Sequence, residues 1–259
     1  MLTKRQMRLG PSMCYLGYHD AAGRHPEVPA GGSSDYGHFL RCAQRAEEGL
    51  FDMVFFAYGV GVRANDDPPG SLSHFNGSVE LEPLTLLAAL APMTRRIGLM
   101  STASATYNEP YHVTRKFASL DDISGGRAGW NIVTSWSEQE AWNFSRDTHL
   151  DYDTRYDRAR EFVEVVTGLW DSWAPDAFVH DKATERFYDP ARLHTLHHRG
   201  KHFQVRERTS GQRLPPPRGA ARRRMTLRSY ALRDLPGERS ERMAVGMTRR
   251  LPPAGLPSH

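Results

Sequence analysis

Short apolar runs alternate with amphipathic stretches along this chain, and that alternation constrains its fold more than any other feature. The apolar runs predict strands at residues 7–16, 51–58, 97–104 and 128–136, and a stretch with helical spacing follows each of them. Repeated strand–helix units favour a parallel sheet covered by helices. Both a TIM barrel and a doubly wound sheet fit this pattern. A Gly-rich dinucleotide fingerprint follows none of the strands, which disfavours the doubly wound sheet.

Local signals predict where the helices begin and end. Ser34 is expected to cap the first helix, and Pro83 to open the second, because proline suits the first helical turn. The pair Gly125–Gly126 should stop the third helix. The strongest amphipathic stretch begins soon after Asp153 and Thr154, either of which is a candidate cap.

Charge is divided unevenly along the chain. From Glu207 onward there are twelve Arg, no Lys and four acidic residues, a net charge of +8; the whole chain carries +4, so residues 1–206 carry −4. The same tail holds seven of the seventeen prolines and no repeating apolar face, which is typical of disorder. We therefore expect a folded body over 1–206, with an insertion over about 174–206, and a disordered basic tail over 207–259.

Composition argues against several classes of protein. No apolar run approaches the ~18 residues of a membrane helix, the N-terminus lacks the apolar stretch of a secretory signal, and two Cys are too few for a disulfide framework, so a cytoplasmic protein without a membrane partner is expected. The acidic body gives no support for nucleic-acid binding. Histidines at 194, 197, 198 and 202 lie in a loop without Cys or carboxylates at ligand spacing, so no metal site is predicted.

Polar and aromatic side chains gather where the predicted strands end. Tyr58 follows the second strand, Thr102 and Tyr107 lie at the end of the third, and Asn131 interrupts the fourth. A buried amide needs partners, so Asn131 either braces a neighbouring strand or contacts a ligand. Ligands of parallel α/β proteins bind at the carboxyl ends of the strands. The sequence therefore predicts a site for a flat molecule with polar edges, and it indicates no catalytic nucleophile or acid–base pair.

Two long stretches carry a family resemblance. "EPLTLLAALAPMTRRIGLMSTASATYNEPYHVTRKFASLDDISGGRAGWNIVTSW" and "DTRYDRAREFVEVVTGLWDSW" closely resemble the nitrilotriacetate monooxygenase component A group, flavin-dependent enzymes of the bacterial luciferase-like superfamily. The resemblance runs from about Met7 to Arg206. It implies a TIM barrel of which this chain holds the first four βα units and the insertion. It also implies that a separate NAD(P)H-dependent flavin reductase supplies reduced FMN, and that a flavin peroxide oxygenates a small organic substrate.

The resemblance also assigns residues to the flavin site. Thr102 and Tyr156 match flavin contacts of the family, and Asn131 is expected to line the pocket beside Thr102. Tyr152 stands where the family has a His, and Tyr58 where it has an Asp. A tyrosine both donates and accepts a hydrogen bond, but at neutral pH it carries neither charge nor imidazole.

The length of the chain leaves alternatives open. Family members are longer and resume with further strands after the insertion, whereas nothing from Glu207 onward resembles them, so a truncated or frameshifted member is expected. One alternative is a non-catalytic remnant that does not bind flavin. Another is an oxidoreductase of the same superfamily that uses the deazaflavin F420, which the NEPYH and WNIVTS motifs disfavour. A folded chain is expected to form a homo-oligomer.

Overall fold

A computed structural model describes most of the chain between residues 7 and 208 and two short segments beyond it. The described residues are 7–13, 17, 19, 22–29, 31–61, 66–74, 78–174, 176–208, 227–230 and 244–247. No helix within these ranges combines the length and the apolar character that crossing a membrane requires.

The centre of the fold is a parallel three-stranded sheet. Its strands are β1 (Met53–Phe56), β2 (Gly98–Ser104) and β3 (Ala128–Val133), which lie side by side in chain order. In a doubly wound sheet the strand order reverses beside the first strand. In a TIM barrel, strands that are adjacent in the sheet are also consecutive in the sequence. The observed order therefore agrees with the predicted barrel.

The first predicted strand is present as an extended segment beside β1. Phe55 donates its N–H to the carbonyl of Pro11 (3.0 Å), and Met13 donates to the carbonyl of Phe55 (2.7 Å). Ser12 forms a parallel bridge with Phe55. Pro11 joins this ladder as an acceptor, a role that needs no N–H. Residues 14–16, the end of the predicted strand, lie outside the described residues.

Helices connect and cover the strands. They are α1 (Tyr36–Glu48), α2 (Pro83–Leu90), α3 (Pro110–Ile123), α4 (Glu138–Trp142) and α5 (Tyr152–Trp170), with short 3-10 turns at Ala22–Arg24, Ser71–His74, Ala91–Met93 and Pro190–Arg192. Pro83 opens α2 as predicted. Gly125 and Gly126, just beyond α3, have φ of 66° and 86°, a left-handed conformation that glycine adopts without steric strain. The predicted end of α3 is therefore confirmed.

Two predicted helix caps are wrong. Asp35 rather than Ser34 precedes the first residue of α1 and caps it. Asp151 caps α5 by accepting the N–H of Thr154 at 3.0 Å, so neither Asp153 nor Thr154 is the cap. Both corrections have one cause: several residues able to cap stand side by side, and only the backbone conformation decides which of them precedes the first turn.

The two faces of the sheet have different neighbours. Ala103, Trp130 and Ile132 pack with apolar residues of α3 and α5 in one buried cluster. Successive residues of a strand point to opposite faces. Thr102 and Asn131, each next in sequence to residues of that cluster, therefore project from the face that becomes the interior of a barrel. They are also register partners in β2 and β3.

The insertion folds into two short hairpins. The first pairs β4 (Phe178–Asp181) with β5 (Arg186–Tyr188), and the second pairs β6 (His198–Arg199) with β7 (Gln204–Val205), both antiparallel. Phe203, between the strands of the second hairpin, is buried against Phe162 of α5 with ring centroids 5.6 Å apart. The insertion is thus anchored to the main core by an aromatic side chain.

Beyond residue 208 the structure describes two strands, β8 (Leu227–Tyr230) and β9 (Ala244–Met247), which pair antiparallel. The backbone of β9 lies beside β3 without joining its ladder. The other residues from 209 to the end lie outside the described part, so the disordered tail stays a prediction.

Candidate functional site

A buried polar pair occupies the interior face of the sheet near its carboxyl edge. Asn131 donates from Nδ2 to Oγ1 of Thr102 at 2.9 Å, and the two residues are 7% and 5% exposed. Sequence reasoning predicted both for the site, and the structure brings them together. Asn131 thus braces the neighbouring strand. Its Oδ1 and the Thr102 hydroxyl hydrogen are groups with which the pair can also bind a ligand.

Hydroxyl groups join the loops that follow β2 and β3. Ser104 Oγ lies 2.8 Å from Ser135 Oγ, and Thr106 Oγ1 donates to the carbonyl of Thr134. Ser135 has φ of 58°, a left-handed conformation that is uncommon for a residue with a side chain, and its carbonyl accepts from Arg155. Strained backbone of this kind clusters at functional sites. These hydrogen bonds therefore fix the backbone conformation at the carboxyl edge of β2 and β3.

Tyr152 and Tyr156 form a second pair at the start of α5. Their rings lie 4.4 Å apart between centroids and are inclined by 36°, and Tyr152 is 56% exposed. A side-chain hydrogen bond joins Tyr156 to Thr134, three residues after Asn131. Burial, and then the neighbouring Tyr152, raise the pKa of Tyr156. The phenol therefore stays protonated at neutral pH and able to donate a hydrogen bond.

Tyr58 has a different environment from the other predicted residues. It follows β1 and is half-buried. Burial raises its pKa, and the carboxylates of Glu82 and Glu80, close to the start of α2, raise it further. The structure therefore associates Tyr58 with two acidic residues, and no described hydrogen bond joins it to the Thr102–Asn131 pair.

Sequence reasoning missed His149. Its Nδ1 makes a short hydrogen bond with the hydroxyl of Tyr107, whose ring stacks on Phe144 with centroids 4.9 Å apart and planes inclined by 18°. Burial, and then the charge of Arg155, lower the pKa of His149, so the imidazole is neutral at pH 7. The available signal was a single histidine in a long polar connection, which on its own does not indicate a site.

Glu140 of α4 was also missed, and it links two loops. It is 6% exposed and accepts from Val60 N at Oε1 (3.1 Å) and from Trp136 N and Ser137 N at Oε2 (3.2 and 3.3 Å). Gly61 passes so close that an added Cβ would lie 2.9 Å from the backbone N of Glu140. This carboxylate therefore ties the loop after β1 to the loop after β3.

A sequence model of the luciferase-like monooxygenases matches residues 14–231. The chain belongs to the luciferase-like monooxygenase family. This confirms the predicted family and its TIM-barrel fold. The match continues past residue 206, where the resemblance in the sequence ended.

Three relatives show what share of their own length this luciferase-like chain matches. It is 47% identical over 212 residues to N-acetyl-S-(2-succino)cysteine monooxygenase of Bacillus subtilis (strain 168), which covers 82% of the chain and 46% of that protein. It is 41% identical over 224 residues to nitrilotriacetate monooxygenase component A of Aminobacter aminovorans, covering 85% and 49%. A structure of riboflavin lyase with modified FMN and riboflavin matches with a TM-score of 0.73 at 31% identity, covering 82% and 48%. The chain thus spans about half the length of these relatives.

Two histidines of the insertion, His198 and His202, contact α5 of this luciferase-like fold. His198 Nε2 lies 3.0 Å from Glu161 Oε1, and His202 Nε2 lies 3.0 Å from Asp157 Oδ2. Lys201 donates to the same oxygen of Asp157 at 2.9 Å. Each of these imidazoles thus has one carboxylate partner. In the part of the chain that the structure describes, no three His, Cys, Asp or Glu side chains are grouped to hold a metal. These contacts attach the β6–β7 hairpin to α5.

Asp157 makes this attachment depend on pH. Hydrogen bonds from His202 and Lys201 lower the pKa of Asp157 from 3.8 to about 2. Because the folded-state pKa is depressed, the stabilisation is complete above the unfolded value and is lost as the pH falls toward about 2. Between pH 3.8 and about pH 2, the urea midpoint of unfolding should therefore fall less in Asp157→Asn than in wild type. Asp153→Asn, an exposed change in the first turn of α5, is the control. The same acid limb in wild type and Asp157→Asn would contradict the assignment.

Proposed function

We propose that this chain binds FMN in a two-component, flavin-dependent monooxygenase that oxygenates a small organic substrate. The observation that carries the proposal is the buried Thr102–Asn131 pair, which places two hydrogen-bonding side chains on the interior face at the carboxyl edge of a parallel sheet. Two relatives named as monooxygenases and a relative whose structure contains modified FMN support it. When bound, reduced FMN from a separate NAD(P)H-dependent reductase would supply the two electrons that activate molecular oxygen for the reaction.

The residues present suit the polar edge of a flavin ring. An isoalloxazine presents carbonyl oxygens and ring nitrogens along one edge and a flat aromatic face. The Thr102 hydroxyl would be free to donate to such an oxygen, and Asn131 Oδ1 to accept from a ring N–H, because Nδ2 of Asn131 is engaged by Thr102. The pair is buried, so these hydrogen bonds form away from water and are stronger than at the surface.

The aromatic residues suit the face of the ring and its neighbourhood. Tyr152 exposes half of its surface beside Tyr156, an aromatic surface on which a flat ligand stacks. Tyr156 stays protonated and donates a hydrogen bond to the ligand. Tyr58 is assigned the position of an Asp of the family, and its hydroxyl, whose pKa is raised by burial and by the charges of Glu82 and Glu80, stays protonated and supplies a donor there.

The redox partner, the substrate and the assembly belong to the same proposal. A separate NAD(P)H-dependent flavin reductase is the redox partner that the family resemblance implies. The proposed substrate is a small organic molecule. Self-association of the folded chain and a cytoplasmic location both stay predictions.

Thr102→Val is expected to weaken FMN binding about tenfold with little change in fold. Valine keeps the shape of threonine and removes the hydroxyl, which loses one hydrogen bond to the flavin and the acceptor of Asn131 Nδ2; one such bond contributes about 1 kcal/mol. The measurement is an FMN fluorescence titration, with circular dichroism as the check on folding. Thr167→Val is the control, since Thr167 bonds within its own helix, to Val163 O at 2.8 Å. Equal FMN affinity in wild type and Thr102→Val would count against the site.

The proposal as a whole is tested by titrating the 259-residue chain with oxidised and reduced FMN and then adding reductase, NADH and oxygen. Saturable micromolar binding supports the flavin site. Absence of binding favours the non-catalytic alternative, and tighter binding of F420 than of FMN favours the deazaflavin alternative.

A further inference from the structure

Arg155 is a buried cation without a carboxylate partner among the described residues. It is 6% exposed, and it takes part in none of the salt bridges formed within the described ranges. Its Nη1 donates to the carbonyl of Ser135, whereas its buried Nε has no partner there. A guanidinium withdrawn from water is unfavourable unless an opposite charge compensates it. Arg155 is therefore placed as if to receive an anionic group.

His149 presents a second buried nitrogen without a partner. Its Nδ1 is engaged by the hydroxyl of Tyr107, and its Nε2 is buried and makes no hydrogen bond of good geometry among the described residues, although the nearby Ser135 backbone acts on the imidazole and raises its pKa. Burial raises the pKa of Tyr107, so its hydroxyl keeps its proton, and we assign that hydroxyl as the donor to Nδ1. With Nδ1 as acceptor, the proton of the neutral imidazole lies on Nε2. His149 then offers one N–H donor.

These two nitrogens belong to one place in the fold. Arg155 donates to the carbonyl of Ser135, whose hydroxyl bonds that of Ser104, and Ser104 Oγ accepts the N–H of Tyr107, the partner of His149. The charge of Arg155 also lowers the pKa of His149. Three buried side-chain polar atoms have no partner in the described part of the chain, and the third, Ser172 Oγ, lies just beyond the far end of α5. Buried polar atoms are nearly always satisfied, so two unsatisfied donors in one cluster indicate a ligand.

We propose that Arg155 and His149 form a subsite that binds an oxyanion, a carboxylate or a phosphate group, at the carboxyl edge of the sheet. In this tautomer both free groups are donors, and beside the charged guanidinium they suit the oxygens of an oxyanion. Arg146, 5.8 Å from the ring centroid of Tyr107, adds positive charge to the surroundings. The nearby carboxylate of Glu140 is already engaged by backbone N–H groups.

The oxyanion has two possible sources, the carboxylate of an organic substrate or the phosphate of FMN, and this assignment rests on the proposed function. The subsite itself does not depend on it, because it is defined by the two unsatisfied donors and the unpaired charge. Binding of a simple oxyanion and binding of FMN are therefore measured separately.

The test is calorimetric titration of the full chain with inorganic phosphate and with succinate, against chloride at equal ionic strength. We expect saturable millimolar binding of at least one oxyanion and none of chloride. Arg155→Gln should raise the dissociation constant at least tenfold. The matched control is Arg160→Gln, which removes the same charge from a side chain of α5 that is 70% exposed. Since Arg155→Gln removes the bond to Ser135, His149→Phe is a second variant that leaves Arg155 in place and should also weaken binding.

Each outcome decides between the possibilities. Binding of succinate alone assigns the subsite to a substrate carboxylate, and binding of phosphate alone, with FMN bound more tightly than riboflavin, assigns it to the flavin phosphate. Oxyanion binding without FMN binding keeps the subsite and rejects the proposed function. Oxyanions that bind no better than chloride, or that bind both Arg155→Gln and His149→Phe as tightly as wild type, overturn the proposal.

Discussion

Replacing Trp130 with alanine should lower the free energy of unfolding by about 3–5 kcal/mol, the range for deleting a large buried aromatic side chain. Trp130 lies in β3 and is 1% exposed. Its ring meets Phe117 of α3 and both Phe162 and Trp170 of α5, with centroids 5.7, 5.9 and 6.1 Å away. Its indole N–H donates to the carbonyl of Ala103 at 3.0 Å. One side chain thus joins two strands to two helices.

Urea-induced unfolding measures this change, with Trp136→Ala as the matched control. Trp136 lies just beyond β3 and is 68% exposed, so its loss leaves no buried cavity and should change stability by less than about 0.5 kcal/mol. The comparison separates burial from the chemistry of the indole. Similar effects of the two substitutions would show that the Trp130 side chain is not buried between the sheet and helices α3 and α5 as described.

The strands were predictable because their signals are local. Each predicted strand contains a short apolar stretch, and β2 and β3 begin within one residue and end within three residues of their predicted bounds. The choice between barrel and doubly wound sheet was not local, since it depends on which strands become neighbours. That information lies in backbone pairings such as Phe55 with Met100 and Thr102 with Asn131, and no single segment encodes them.

Half of the candidate site was predictable for a similar reason. Asn131 is conspicuous in sequence because an amide inside an apolar strand must find a partner, and its register partner is Thr102. His149 and Arg155 carry no such signal. Both lie in polar sequence where charged and imidazole groups are ordinary. Their importance comes from one buried nitrogen in each, Arg155 Nε and His149 Nε2, for which the fold provides no hydrogen-bond partner among the described residues. Tertiary context, and not residue type, therefore separates the site residues that were found from those that were missed.

Replacing Glu140 with glutamine should destabilise the fold by about 2–4 kcal/mol, although the two side chains have nearly the same shape. Both carboxylate oxygens accept backbone N–H groups, from Val60 on one side and from Trp136 and Ser137 on the other. Glutamine keeps only one acceptor oxygen and turns its NH₂ toward an N–H. At least one buried donor is then left unsatisfied, which costs about 1–3 kcal/mol, and a charged hydrogen bond is lost as well.

Glu138→Gln is the matched control, because Glu138 is exposed in the first turn of the same short helix, α4. It removes the same charge and should change the urea midpoint little. If Glu140 acts by joining loops, Glu140→Gln should also weaken FMN binding more than Glu138→Gln does, since the loops carry Tyr58 and Thr134. Loss of stability with unchanged FMN affinity would mean that Glu140 supports only the fold. Equal stability of the two variants would contradict the role of Glu140, because their difference isolates the buried hydrogen bonds from the charge.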